Sequence, residues 1–135
     1  MLLELVMGIA LFSLVMLTVI ELYPTSFVAH GKARQRVFAS QLTESLLDRC
    51  SGLPLASLLP PPKVFAQWDS NDPGPLAAEF DPPAQMDGTK FEAVVDVHLK
   101  EVDPQNRPLL VQVTVTVRWK NQRLERQQWF SQYAR

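Results

Sequence analysis

MLLELVMGIALFSLVMLTVIELY, residues 1–23, decides the fold. From Leu5 to Ile20, between Glu4 and Glu21, no side chain is charged, and the apolar stretch carries on to Tyr23. A bilayer core about 30 Å thick takes roughly 20 apolar residues of helix, so this segment predicts one membrane-spanning helix. A single carboxylate stands near its start. An ionised group at the centre of a bilayer costs at least ~2.5 kcal/mol, and less near the interface, so Glu4 requires a compensating partner.

Working outward, Pro24 closes the run. An interior proline removes one backbone hydrogen bond and crowds the preceding turn, which predicts a kink or local break there or near Gly31. Beyond it, TSFVAHGKARQRVFASQLTESLLDRC, residues 25–50, is amphipathic. Phe27, Val37, Phe38, Leu42, Leu46 and Leu47 recur at spacings of three, four and seven, with Lys32, Arg36, Gln41, Glu44 and Asp48 on the remaining surface. Gly52 is expected as the C-terminal cap and Pro54 as the stop. In residues 53–89 the periodicity fails and prolines concentrate. Such a segment is too long for an ordinary connection, so it predicts a packed loop anchored by Phe65, Trp68, Leu76 and Phe80, with a short strand from Lys63 to Trp68.

The last third changes period. Phe91, Ala93, Val95, Val97 and Leu99 alternate with Glu92, Asp96, His98 and Lys100, which is a half-buried strand with His98 facing solvent. After the turn DPQNRP, Val111, Val113, Val115, Val117 and Trp119 share one face, and Gln112, Thr114, Thr116 and Arg118 the other. A tight turn at Lys120-Asn121-Gln122 leads to a third, edge-like strand with Leu124 and Phe130 on one parity. The expected class is α+β: a long N-terminal helix, transmembrane in its first half and amphipathic in its second, packed on a small three-stranded antiparallel sheet. The expected organisation is residues 1–24 as a transmembrane helix and 25–135 as an outer domain. Within that domain, 25–52 is helix, 53–89 the proline-rich loop region and 90–135 the sheet.

Bulk composition narrows the function. The chain has 135 residues and a net charge of -1, and its densest basic cluster is Lys32, Arg34 and Arg36. That is no footprint for nucleic acid, and the three cations read as a solvated helix face or as contacts to lipid headgroups. Cys50 is the one cysteine, so no intrachain disulfide forms. Without His30 or His98 nearby in sequence it reads as a structural thiol, not a nucleophile. Asp81, Asp87, Asp96 and Asp103 are scattered over turns and a polar strand face and read as solvating. No catalytic set, metal cluster or glycine-rich phosphate loop is legible, so neither enzymatic activity nor a cofactor is expected.

The run Leu2-Leu3-Glu4-Leu5-Val6-Met7-Gly8-Ile9-Ala10-Leu11-Phe12-Ser13-Leu14 resembles the processed N-terminus of type IV pilin-like proteins: pilins, minor pilins and type II secretion pseudopilins. Glu4 falls on the family glutamate. SQLTESLLDRCSGLPLASL and VTVTVRWKNQRLERQQWF look like the end of the long helix and the final hairpin of minor pilins and minor pseudopilins. The resemblance implies a basic leader ending in glycine. A prepilin peptidase cuts it and then methylates the new N-terminal phenylalanine. Here Met1 occupies the family's second mature position, so the leader is expected upstream. The charges agree: Lys32, Arg34 and Arg36 follow the span, and only a basic segment ahead of it orients the C-terminal domain outward.

The resemblance further implies a structural minor subunit, single-pass in the bacterial inner membrane with an extracytoplasmic C-terminal domain, and then part of a pilus or pseudopilus. Its partners would be other pilins or pseudopilins and an inner-membrane assembly platform. Leu2, Leu3, Gly8, Ala10 and Ser13 would pack the helix into a bundle. Glu4 would offset a neighbouring subunit's N-terminal amine and set register, or else serve as a partner for its own helix dipole. The alternative is a bitopic membrane protein whose outer domain binds a partner without forming filaments.

Overall fold

The computed structural model describes residues 2–80 and 84–132, without the side chain of Thr25. The expectations placed on Met1 and Asp81 therefore lie outside the described residues. The fold is α+β, and the chain divides into two units, residues 1–36 and 37–135.

Helix α1 covers Leu2–Gly52. Of the kink or local break expected at Pro24 or Gly31, the break is absent: the helix continues without interruption through both. A proline withdraws one donor only, and the hydrogen-bonded ladder resumes on both sides of it. Nearby hydroxyls tie themselves to the same helix: Thr18 Oγ1 donates to the Val15 carbonyl at 2.7 Å and Ser26 Oγ to that of Leu22 at 3.1 Å. The far end also differs from expectation. Gly52 is the last helical residue and does not take the left-handed conformation, which among the described glycines belongs to Gly74 and Gly88. The Leu53 N–H donates to the Cys50 carbonyl at 3.3 Å and tightens the final turn.

In the second unit the alternating segments become strands β4 (Glu92–Val102), β5 (Pro108–Trp119) and β6 (Gln122–Ser131). They pair antiparallel as a meander, with Val95 opposite Val115 and Val117 opposite Leu124. Val111, Val113, Val115 and Val117 are fully buried, while Gln112 and Thr114 on the other face are half-buried. The expected inward face holds for the valines, but Thr116, expected outward with Gln112 and Thr114, is buried as well at 4% exposure. Each such valine contributes about 1.5–3 kcal/mol over its exposed state.

The sheet has four strands, not three. β1 (Phe65–Asp69) pairs antiparallel with β4, giving the order β1-β4-β5-β6. A short strand from Lys63 to Trp68 was expected and is present one or two residues later. Its place in the sheet was not legible, because the pairing partner lies about thirty positions away and only backbone groups make the match. A second, two-stranded sheet joins β2 (Gln85–Met86) to β3 (Thr89–Lys90). Its turn is Asp87-Gly88, with φ of 49° and 70°, the left-handed pair that a two-residue hairpin requires.

The amphipathic part of α1 covers the valine face through Ala39, Leu46, Leu47 and Cys50, with Phe38 and Leu42 packed against the same core. Phe38 meets Phe91 at 4.8 Å between ring centroids. The apolar stripe is thus shorter than its sequence pattern: Phe27 and Val37 remain 68% and 57% exposed. Thr43 sits in the buried face and loses no hydrogen bond, since its Oγ1 donates to the Ala39 carbonyl at 2.7 Å.

The connection between helix and sheet folds into short pieces: α2 (Leu55–Leu58), β1, a 3-10 turn (Gly74–Leu76) and α3 (Ala77–Phe80). Leu76 is fully buried, and Trp68 and Phe80 pack against the core as expected. Phe65 does not. It points away from the core, 44% exposed, with its ring 4.7 Å from that of His98. Strand parity leaves no choice, because Ala66 and Trp68 take the inner face.

Candidate assembly helix

The candidate site is the N-terminal part of α1. It is the one helix among the described residues that is long and apolar enough to span a membrane, and none of its most apolar window is buried. Leu2 and Leu3 are 82% and 81% exposed, and the large apolar side chains from Leu5 to Phe27 follow the same pattern. A helix this apolar on every side is stable only inside lipid or among other helices.

Helical geometry divides the predicted site residues among three lines. Glu4 and Gly8, four apart, line one shallow concavity with Leu5, Ile9 and Phe12. Gly8 leaves that strip open: a Cβ built there meets nothing within 4 Å. At 3.6 residues per turn, Leu2 and Ser13, eleven apart, share a line on the side away from Glu4, and Leu3 and Ala10, seven apart, share one about 100–120° around from Glu4. Glu4 lies in the first turn and is exposed, a position that suits the helix dipole as well as a neighbouring chain. Leu5, Ile9 and Phe12 were not singled out from the sequence. Phe12 follows Gly8 by four and continues its strip, while Leu5 and Ile9, four apart, border that strip on one side.

The other candidate residues are spread apart. His30 lies on α1 beside Phe27, and His98 is exposed on β4. Cys50 is fully buried, and desolvation pushes its thiol up to about 12, against a small opposing effect of a backbone hydrogen bond. Asp96 accepts from Gln67 Nε2 at 2.7 Å. Asp103 organises the β4–β5 turn, accepting from the backbone N–H groups of Gln105 at 2.9 Å and Arg107 at 2.6 Å, and from Arg107 Nε at 2.8 Å. Among the described residues no three His, Cys, Asp or Glu side chains converge on a point. Neither a protein-family model, nor a curated protein, nor a solved structure matches the chain.

Proposed function

We propose that this protein is a structural minor subunit of a type IV pilus or type II secretion pseudopilus. The observation that carries the reading is an exposed, all-round apolar helix with one carboxylate in its first turn. Held in the inner membrane by this helix, with residues 37–135 on the outer side, the subunit awaits extraction by an assembly platform. In the filament, helices of neighbouring subunits take the place of lipid. The open strip at Gly8 admits a close neighbour on one side, and Ala10 and Ser13 do so on the other. Glu4 pairs with the N-terminal amine of the next subunit. In a low-dielectric bundle that pairing far exceeds its strength in water, and it sets the stagger between chains. A minor role suits the single cysteine, since major pilins of this family close their C-terminal region with a disulfide.

Glu4→Gln tests the reading. It keeps the shape and removes the charge, leaving a neighbour's amine unpaired at a cost of ~3–5 kcal/mol. That loss lowers incorporation by orders of magnitude. Membrane insertion persists, because a less polar span inserts more readily. The gene, with the family-type leader ahead of it, is expressed in its own host, and membrane-fraction abundance is measured separately from filament incorporation. Normal insertion with failed incorporation is the expected result. Full incorporation of the variant reduces Glu4 to a dipole partner and removes the basis of the filament mechanism.

A further inference from the structure

We infer that Lys32, Arg34 and Arg36 form a cationic collar that binds the phosphates of anionic phospholipids where α1 leaves the bilayer. The first observation is the charge pattern. Residues 22–43 hold these three cations and no carboxylate, and the flanking acids are Glu21 and Glu44. All three cations are exposed.

Their arrangement around the helix points to lipid. Lys32 and Arg36, four apart, share one side, while Arg34 lies about 160° around from Arg36 at 3.6 residues per turn. A surface for a protein partner gathers its charges on one face. Charges distributed around the helix suit a headgroup layer that encircles it.

Depth agrees. Twenty residues from Leu5 reach Pro24, which at about 1.5 Å per residue fills a hydrocarbon core of roughly 30 Å. Tyr23 then lies at the boundary, with its ring 5.7 Å from that of Phe27, and both side chains are exposed. Aromatic side chains at this level occupy the interfacial belt. Lys32, Arg34 and Arg36 stand eight, ten and twelve residues past Pro24, about 12, 15 and 18 Å along the axis. Helical side chains lean toward the N-terminus, so the long Lys32 and Arg36 stems point back at the headgroups. The collar therefore fixes how deep the helix sits, in whichever leaflet it emerges. This inference rests on membrane anchoring alone and is independent of filament assembly.

The test uses the full chain reconstituted in phosphatidylcholine vesicles carrying spin-labelled phosphatidylglycerol or spin-labelled phosphatidylcholine. The fraction of motionally restricted lipid reports association with the helix. The wild type is expected to prefer phosphatidylglycerol well beyond the roughly fivefold that a single basic side chain near a charged surface gives, because three contribute, with the preference declining as salt is raised. The Lys32→Gln/Arg36→Gln variant should lose most of it. A Lys63→Gln/Lys90→Gln control, which removes equal charge from the second unit, should keep it. Equal association of both lipids with the wild type, retention of the full preference by the collar variant, or equal loss in the control would each overturn the inference. A Glu4→Gln chain should retain the preference, so failure of the filament mechanism and failure of the collar give different results.

Discussion

At the scale of single residues, burial decides chemistry. Cys50 lies under the sheet, and its raised thiol pKa makes it a proton carrier in the folded state at pH values where the unfolded thiol has ionised. The folded state then binds more protons than the unfolded one. This contribution is fully present below the ordinary value of 9.0 and is lost as pH rises from there toward about 12. Denaturation of residues 25–135 at a series of alkaline pH values should show stability falling across that window, and Cys50→Ala should flatten the slope. A thiol reagent at neutral pH should label Cys50 only after unfolding. Asp103 is the opposite case. The Arg107 backbone N–H, and then the Arg107 side chain, hold its carboxyl below the ordinary 3.8. The turn it organises is intact at neutral pH and weakens as pH falls through that depressed value. Asp103→Ala should speed hydrogen exchange at the Gln105 and Arg107 amides; unchanged protection there would mean that the turn holds without the carboxylate. Gly74 is equally specific: at φ 47°, a Cβ would come within 2.4 Å of the Trp68 ring. Gly74→Ala should therefore displace the indole, read as a change in its fluorescence, and lower stability.

At the scale of elements, the question is which helix residues hold α1 to the sheet. Leu46 is fully buried and Leu42 only partly. Leu46→Ala should cost about 2–5 kcal/mol, and Leu42→Ala less, measured by chemical denaturation of residues 25–135. The reverse order would place the centre of the contact one turn earlier than the packing shows. Salt links at the margin are weaker. Arg126 Nη1 donates to Glu44 Oε1 at 2.8 Å, but both side chains are about half exposed, so the pair contributes little. Arg126 has a second effect: a charge on the core-side parity of β6 discourages another strand from extending the sheet at that edge.

At the scale of the whole molecule, every buried hydrophobic side chain among the described residues lies at Ala39 or beyond. The second unit therefore holds its core without the apolar helix. Deleting residues 1–24 should leave a folded, soluble monomer, checked by sedimentation and circular dichroism; aggregation of that fragment would show that the apolar segment covers part of the domain. Alternation legible in the sequence set which faces of β4 and β5 turn inward, because a strand's period of two is a property of the backbone. The charge-free run from Leu5 to Ile20 likewise set the length available for a span, and the carboxylate at its head marked Glu4. What Glu4 pairs with was not legible, since a partner on another chain leaves no mark on local pattern. Tertiary structure alone decided the rest. β1, legible as a short strand, joined the main sheet because the free edge of β4 offered it hydrogen bonds, and Phe65 turned outward because Ala66 and Trp68 fitted the core. The same holds for the stripe on α1, whose spacing begins at Phe27 although burial begins at Phe38 and Ala39. Local periodicity fixes which side of an element is apolar, but burial along that side extends only where another element lies opposite it.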